Sequence, residues 1–167
     1  MKITKLFLLL ASTSALVISS AGSALAASTS AGDNLHVTAT VVKSCTIVAH
    51  EVAFGEYNPL GGVLNGTGSV VVTCSKGSGT SVALDYGQTP DPLDSTQPRM
   101  KNGTSYLKYK LFSDSDHSKA WNGTSVDITP AGDTLTPQTL TVYGQVAGSQ
   151  NVTPGDYLDI VVATVNF

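Results

Sequence analysis

The last twelve residues, 156–167, read DYLDIVVATVNF, an apolar and β-branched run that continues to the final phenylalanine. Most domains end in polar residues that fray, so an apolar terminal strand indicates a surface that a partner covers. Near the other end, residues 35–41 read LHVTATV and alternate apolar with polar side chains. Such alternation is typical of a strand with one buried face. The chain therefore has an alternating strand near one end and an apolar strand at the other, and we expect a partner to cover the second.

The sequence between these ends favours an all-β domain. Apolar residues alternate, β-branched residues dominate the runs, and no segment after the first 26 residues shows helical spacing. Strands are expected at 35–48, 52–57, 68–75, 80–87, 105–112, 138–146 and 156–167. Turn residues separate them, and the strongest hairpin signals are Asn-Gly pairs at 65–66, 102–103 and 122–123. Short strands punctuated in this way indicate an antiparallel β-sandwich of the immunoglobulin kind.

Two polar segments are expected to be irregular. Residues 88–104 are rich in Pro and Asp and predict a long surface loop. Residues 113–137 predict a second one, in which Trp121 is expected to be a satellite core residue rather than part of a sugar platform. Asn-x-Thr sequons occur at four positions, which we interpret as turn chemistry: Asn65, Asn102, Asn122 and Asn151.

The first 26 residues have the features of a secretory signal peptide. Two lysines precede an apolar stretch at 6–18, and residues 24–26 read ALA, a form that signal peptidase accepts. A membrane anchor is the alternative, but a helix over 6–18 spans only about 20 Å against a hydrocarbon core of about 30 Å. We expect cleavage after Ala26 and export of residues 27–167.

The composition favours a folded, exported domain. Charged residues make up 13% of the 167 residues and hydrophobic residues 41%, whereas disorder needs the opposite balance. Without the leader, seven basic residues face twelve acidic ones. That balance gives no electrostatic footprint for nucleic acid or an anionic membrane.

The two cysteines, Cys45 and Cys74, are expected to form a disulfide. An exported chain meets an oxidising compartment, and two cysteines without a flanking His pair cannot complete a four-ligand zinc site. Closing a loop of this length would stabilise the fold by about 3.5 kcal/mol. An intermolecular bridge is the alternative.

The sequence contains no arrangement typical of a catalytic or metal site. The three histidines, His36, His50 and His117, have no spacing that pairs them with a second ligand, and we interpret them as surface residues. Asp114 and Asp116 could begin a calcium loop, but the further ligands and the glycine are missing. No nucleophile elbow occurs, and no pair of acids is singled out for glycoside hydrolysis. We expect no enzyme, cofactor, metal or small-molecule substrate, and a self-contained glycan-binding module is the alternative of a different class.

Several stretches, in order through essentially the whole chain after the leader, resemble the spore coat protein U domain family. This family includes the subunits of archaic (Csu-type) chaperone–usher pili. The specific part is the cysteine pair together with the terminal patterns GDYxD and TVxF. The matching segments are CTIV (45–48), VAFGEY (52–57), VVVTC (70–74), LDYG (84–87), RM (99–100), LKYKLF (107–112), VYG (142–144), GDYLD (155–159) and TVNF (164–167).

The resemblance implies an incomplete, pilin-like, immunoglobulin-like antiparallel β-sandwich that lacks its last strand. The missing strand leaves a hydrophobic groove beside the C-terminal strand. In the family a periplasmic chaperone fills this groove first, and at the outer-membrane usher the N-terminal arm of the next subunit replaces it. The implied function is that of an exported structural subunit of a surface pilus, a head-to-tail polymer of identical or homologous pilin subunits that serves attachment and biofilm formation. Alternatives are a spore-coat or other surface-layer protein, or an ordinary closed sandwich whose first strand is 35–41.

Carried over residue by residue, the resemblance divides the chain into a signal peptide (1–26), a donor-strand arm (27–41) and the β-sandwich (42–167). The disulfide would tie the first strand to the second. The arm residues expected to face the groove are Leu35, Val37, Ala39 and Val41, with His36, Thr38 and Thr40 facing outward. The strand that borders the groove would contribute Tyr157, Val161, Ala163, Val165 and Phe167. Which phase of 157–167 faces inward stays open, because Leu158, Ile160 and Val162 are equally apolar.

Overall fold

The computed structural model describes residues 29–77, 79–128 and 135–167. The signal peptide predicted at 1–26 lies outside these residues, as do residues 27 and 28 of the predicted arm. Across the described residues the chain forms no helix, and accordingly no helix long and apolar enough to cross a membrane. It forms eight strands: β1 Cys45–Ala53, β2 Leu64–Cys74, β3 Thr80–Leu84, β4 Arg99–Asn102, β5 Ser105–Phe112, β6 Ser125–Ile128, β7 Gln138–Val146 and β8 Ala163–Asn166.

The strands form two sheets whose paired strands are antiparallel, which confirms the predicted β-sandwich. The larger sheet has the order β1-β2-β7-β5-β4 and the smaller one β6-β3-β8. Inward-facing residues of both sheets alternate with exposed ones and make a single apolar core, as the period of two requires. Its most buried members are Val70, Val72, Val82, Trp121 and Val146. All eight strands belong to the unit Thr40–Phe167, and the described residues 29–39 lie outside that unit.

The end of β1 differs from the prediction. The expected separate strand at 52–57 is wrong, because Val52 and Ala53 complete β1 after a shift in pairing register that follows His50. This irregularity places the side chains of Val52 and Phe54 against β7. A β-carbon at Gly144 of β7 would lie 2.7 Å from both of these side chains, so only glycine leaves room for them.

Turn signals were right at one Asn-Gly pair and wrong at another. Asn102 pairs with Ser105 at the end of the β4–β5 hairpin, and Gly103 has the positive φ (59°) that such a turn requires. Asn65 and Gly66 instead lie inside β2. At Gly66 a β-carbon would come within 2.7 Å of the Ala53 carbonyl, so this glycine serves close approach of β1 rather than a turn.

The two segments expected to be irregular each contain a short strand. β4 lies within the predicted loop 88–104, and β6 lies within 113–137, of which residues 129–134 are outside the described chain. Trp121 is a core residue, as predicted: it is 1% exposed, and its indole N–H donates to the Val82 carbonyl at 2.9 Å. Asn122 of the third sequon is also buried. Its side chain accepts from the Leu111 N–H and donates to the Asp85 carbonyl, so it forms part of the core packing.

The disulfide between Cys45 and Cys74 is present. The two residues are the first pair of the β1–β2 ladder, with their Cα atoms 4.1 Å apart. The bond therefore joins the start of an edge strand to a central strand of the larger sheet.

Candidate functional site

An apolar groove lies between two strands that have a neighbour on one side only. β1 is an outer strand of the larger sheet and β8 an outer strand of the smaller one. Between residues 49–54 and residues 157–163 a cavity of about 320 Å³ opens onto the core. A second, more polar cavity, of about 600 Å³, continues along residues 51–57 and 152–157. We call the two together the C-terminal groove. Its floor includes Val70, Leu84, Tyr109, Leu111 and Val142.

The groove exposes an unpaired backbone edge. Leu158 exchanges backbone hydrogen bonds with Lys101 (2.9 and 3.2 Å), and the Val162 carbonyl accepts from the Asp85 N–H at 3.1 Å. In an extended chain the backbone groups of successive residues point to opposite edges. Leu158 therefore bonds toward β4 and Val162 toward the end of β3. The N–H and C=O groups of odd-numbered residues from 157 to 165 point toward the groove, where the described chain provides no neighbouring strand.

The side chains of the C-terminal stretch also follow a single phase. Four of the residues that the resemblance assigned to this strand are partly buried and pack against the core: Tyr157, Val161, Ala163 and Val165. The fifth, Phe167, is 51% exposed and lies beyond the last pair of the β3–β8 ladder. Leu158, Ile160 and Val162 are at least half exposed. The odd-numbered residues are therefore the inward-facing ones, a choice that the sequence left open.

The strand predicted at 156–167 forms a ladder only at 163–166. Before Ala163 the chain stays extended but is held by side chains as well as by backbone bonds. The Asp85 carboxylate accepts from the Val162 N–H at 2.9 Å. Asp159 points inward, and its carboxylate accepts from the Gln88 N–H at 2.9 Å and from the Tyr109 hydroxyl at 2.7 Å. Burial raises the pKa of Tyr109, and the hydrogen bond to the Asp159 carboxylate raises it further. The phenol therefore stays protonated and donates.

The described residues of the arm, 29–41, are solvent-exposed. Residues 35–44, predicted as part of the first strand, form no strand, and pairing begins only at Cys45. Leu35, Val37 and Val41 are 85–91% exposed, and Ala39 is exposed as well. Large apolar side chains rarely remain this exposed in a row on a monomeric protein unless they serve an interaction.

Comparison with known proteins places the chain in a family. Residues 31–164 match the model of the Spore Coat Protein U domain. The chain belongs to the spore coat protein U domain family. A curated relative, "Protein U" of Myxococcus xanthus, is 36% identical over 149 residues, which cover 80% of this chain and 83% of that protein. The resemblance noted in the sequence is thereby confirmed.

Two solved structures of chaperone–usher pilus components share the fold. One is the CsuC–CsuE chaperone–tip adhesion subunit pre-assembly complex from archaic Csu pili of Acinetobacter baumannii. A chain of it matches with a TM-score of 0.60 and 26% identity over 77% of this chain and 40% of its own length. The other, from the structure of a chaperone–usher pilus, matches with a TM-score of 0.51 and 15% identity over 82% and 96% of the two chains, and this likeness concerns the fold alone. Both matched structures are of structural pilus components.

Three stretches that carried the family resemblance meet at the C-terminal groove. LDYG supplies Asp85, LKYKLF supplies Tyr109 and GDYLD supplies Asp159. Sequence reasoning matched these stretches but assigned no role to the three polar residues. The signal in the sequence was Asp159, a charged residue among the otherwise uncharged alternate positions from 157 to 165.

The three histidines differ in their surroundings. His36 and His50 are exposed, as expected, and His50 lines the C-terminal groove. His117 differs from the expected surface residue, because its ring packs edge-on against Phe112 and Tyr143 with centroids 5.1 and 6.2 Å away. Asp114 binds its own loop through the Lys119 N–H and the Ser118 N–H and hydroxyl. Among the described residues no group of three or more His, Cys, Asp or Glu could hold a metal ion.

Proposed function

We propose that the protein is an exported structural subunit of a surface pilus that polymerises by donor-strand exchange through the chaperone–usher route. The observation that carries this proposal is the C-terminal groove, an apolar cleft with an unpaired backbone edge in a sandwich that lacks a strand. The partners are a periplasmic chaperone, an outer-membrane usher and further pilin subunits, identical or homologous. The assembled fibre would lie on the cell surface and serve attachment and biofilm formation.

The donor strand in this proposal is the arm, residues 27–41, of a second copy. Residues 35–41 span about 20 Å when extended, and so do residues 157–163 on the groove wall. The alternating row Leu35, Val37, Ala39 and Val41 would place apolar side chains on the groove floor, while backbone hydrogen bonds form along the open edge. This is β-augmentation, in which the ladder supplies affinity and alternate side chains supply specificity.

Family relationship supports the chaperone and subunit partners. A chain similar to this one occurs in a complex of a chaperone with a tip adhesion subunit, and another occurs in a pilus. The match covers 40% of the first of these chains. Export through the periplasm agrees with the signal peptide expected at 1–26 and with the disulfide.

A structural role in a spore coat or another surface layer is the second candidate. Its support is the family description and the 36% identity to Protein U of Myxococcus xanthus. The groove and the exposed arm would serve the same strand exchange there, so the two candidates differ in the final location of the polymer.

The first experiment is electrophoresis of the extracellular fraction from cells that express the protein with its native gene neighbours, loaded unboiled and boiled in detergent. We expect a ladder in steps of one mature subunit that collapses to a monomer on boiling, because each chain completes the fold of the next. Deleting residues 27–41 should leave chaperone binding intact and abolish the ladder.

A single monomer band in both lanes would contradict the proposal. It would mean that the sandwich needs no donor, and binding of glycans to a self-contained module would then be measured. Isolation of the same ladder from spore coats rather than from surface fibres would favour the second candidate.

A further inference from the structure

The contacts of Asp159 are unusual for a side chain that lines an apolar groove. The inward-facing row of the C-terminal stretch reads Tyr157, Asp159, Val161, Ala163 and Val165, with one charged residue among them. Both carboxylate oxygens of Asp159 are used. One accepts from the N–H groups of Gln88 and Ile160, each at 2.9 Å, and the other from the Tyr109 hydroxyl.

The backbone around this carboxylate is shaped to receive it. Gly87 has a positive φ of 77°, and a β-carbon there would overlap the Asp159 carboxylate. Tyr109 is 4% exposed and reaches the carboxylate from β5 of the larger sheet. One carboxylate thus joins the C-terminal stretch both to the turn after β3 and to the floor of the groove. We refer to the Asp159–Tyr109 contact as the wall clamp.

We propose that Asp159 and Tyr109 are positioning residues for assembly, which hold residues 157–162 in place while the groove is empty. This inference rests on the proposed function, because it assumes that a donor strand binds along these residues. With the clamp in place, the open backbone edge is already extended and in register when the donor arrives.

The need for such a clamp follows from the pairing of this stretch. Residues 157–162 lie outside the β3–β8 ladder. Their backbone hydrogen bonds to other segments of the described chain are those of Leu158 with Lys101 and of Val162 with Asp85. Segments with few backbone bonds and an open edge unfold locally at little free-energy cost. A donor must then order the stretch as it binds, and the ordering entropy is subtracted from its affinity.

The effect should differ between the empty and the filled groove. Once a donor strand is paired, residues 157–162 are held on both edges and the clamp is no longer needed to keep them extended. Loss of the clamp should therefore reduce donor affinity, whereas a purely structural contact would lower the stability of both states equally and leave the affinity unchanged.

The test uses the full mature chain carrying Val37→Asp, so that its own arm does not compete, and a synthetic peptide of residues 31–43 as the donor. The dissociation constant is measured by calorimetry for this parent, for Tyr109→Phe and for Asp159→Asn. We expect Tyr109→Phe to bind about tenfold more weakly, the usual effect of losing one hydrogen bond to a charged group. Asp159→Asn keeps the size and one acceptor oxygen, and a smaller loss in the same direction is expected.

Tyr106→Phe is the matched control. Tyr106 lies on the same strand, three residues earlier, and its ring stacks under Arg99, which is not among the residues lining the groove. Hydrogen exchange gives the second readout. In Tyr109→Phe the amides of Leu158 and Val162 should exchange faster than in the parent when the groove is empty, and should regain protection when the peptide is bound.

The outcomes separate the two proposals. If the peptide fails to bind the parent, the donor-strand function itself is wrong. If it binds the parent and Tyr109→Phe equally well, or if exchange rises uniformly over the whole domain, the positioning role is overturned and the proposed function stands. Should Tyr109→Phe fail to fold, Asp159→Asn carries the same comparison.

Discussion

A single substitution in the arm provides the sharpest test of donor-strand exchange. Val37 is 85% exposed in the subunit, so Val37→Asp should change the free energy of unfolding by no more than about 0.5 kcal/mol. In the filled groove the same side chain would be buried. Burying a valine contributes about 2 kcal/mol, and an unpaired carboxylate in its place costs at least about 3 kcal/mol more. Together these terms predict that exchange weakens by more than about a thousandfold.

The assay is the unboiled gel ladder from cells, together with a thermal unfolding curve of the purified subunit. Thr38→Asp is the matched control, since it adds the same charge one residue later on the face that would point to solvent. We expect no ladder for Val37→Asp, a normal ladder for Thr38→Asp and unchanged unfolding for both. A normal ladder from Val37→Asp, or an equal block by both variants, would refute the assignment of Val37 to the groove.

Three further predictions concern the sandwich itself. Replacing Cys45 and Cys74 by Ser should lower the free energy of unfolding by about 3.5 kcal/mol in a denaturant titration, and no change would show that the bond constrains nothing. Trp121→Phe removes a buried hydrogen bond to a β3 carbonyl and should cost about 2 to 3 kcal/mol in the same titration. The hydrogen bond with the Lys108 ammonium lowers the pKa of Asp91, and the backbone N–H of Leu93 lowers it further. The stability that the ionised Asp91 carboxylate contributes is therefore present above its ordinary pKa of about 4 and is lost as the pH falls through the lowered pKa. The melting temperature of Asp91→Asn should therefore decline less on acidification than that of the parent protein.

The pattern of alternation made the class of the fold predictable. Residues 105–112 and 138–146 were predicted with the bounds that the structure shows, because each alternates cleanly and ends at a turn residue or a polar segment. Trp121 was predicted as a core residue because a single large apolar side chain in a polar segment is usually buried. The disulfide followed from the compartment and the number of cysteines.

Other features depend on contacts between distant residues. Gly66 and Gly144 accept the crossing end of β1, and the sequence at each glycine contains no sign of that neighbour. β4 is a four-residue strand in a Pro- and Asp-rich segment, and it exists because β5 and Leu158 pair with it. The phase of the C-terminal stretch was open because both of its faces are apolar. It is decided by Asp85 and Lys101, which bind the even-numbered backbone groups.

The position of the disulfide has a mechanical consequence if subunits are joined through the arm. The arm leads directly into β1, so load on a fibre would enter each sandwich at Cys45, the first residue of an edge strand. An edge strand pulled from one end separates from its neighbour one pair at a time, beginning with the pair nearest the load. In this chain that pair is Cys45 and Cys74, and it is closed by a covalent bond. Separation cannot begin there, and the load passes to β2, which is paired on both sides. A closed, soluble module would have no need for a bond at this position in particular, whereas a subunit that bears tension through its N-terminal arm does.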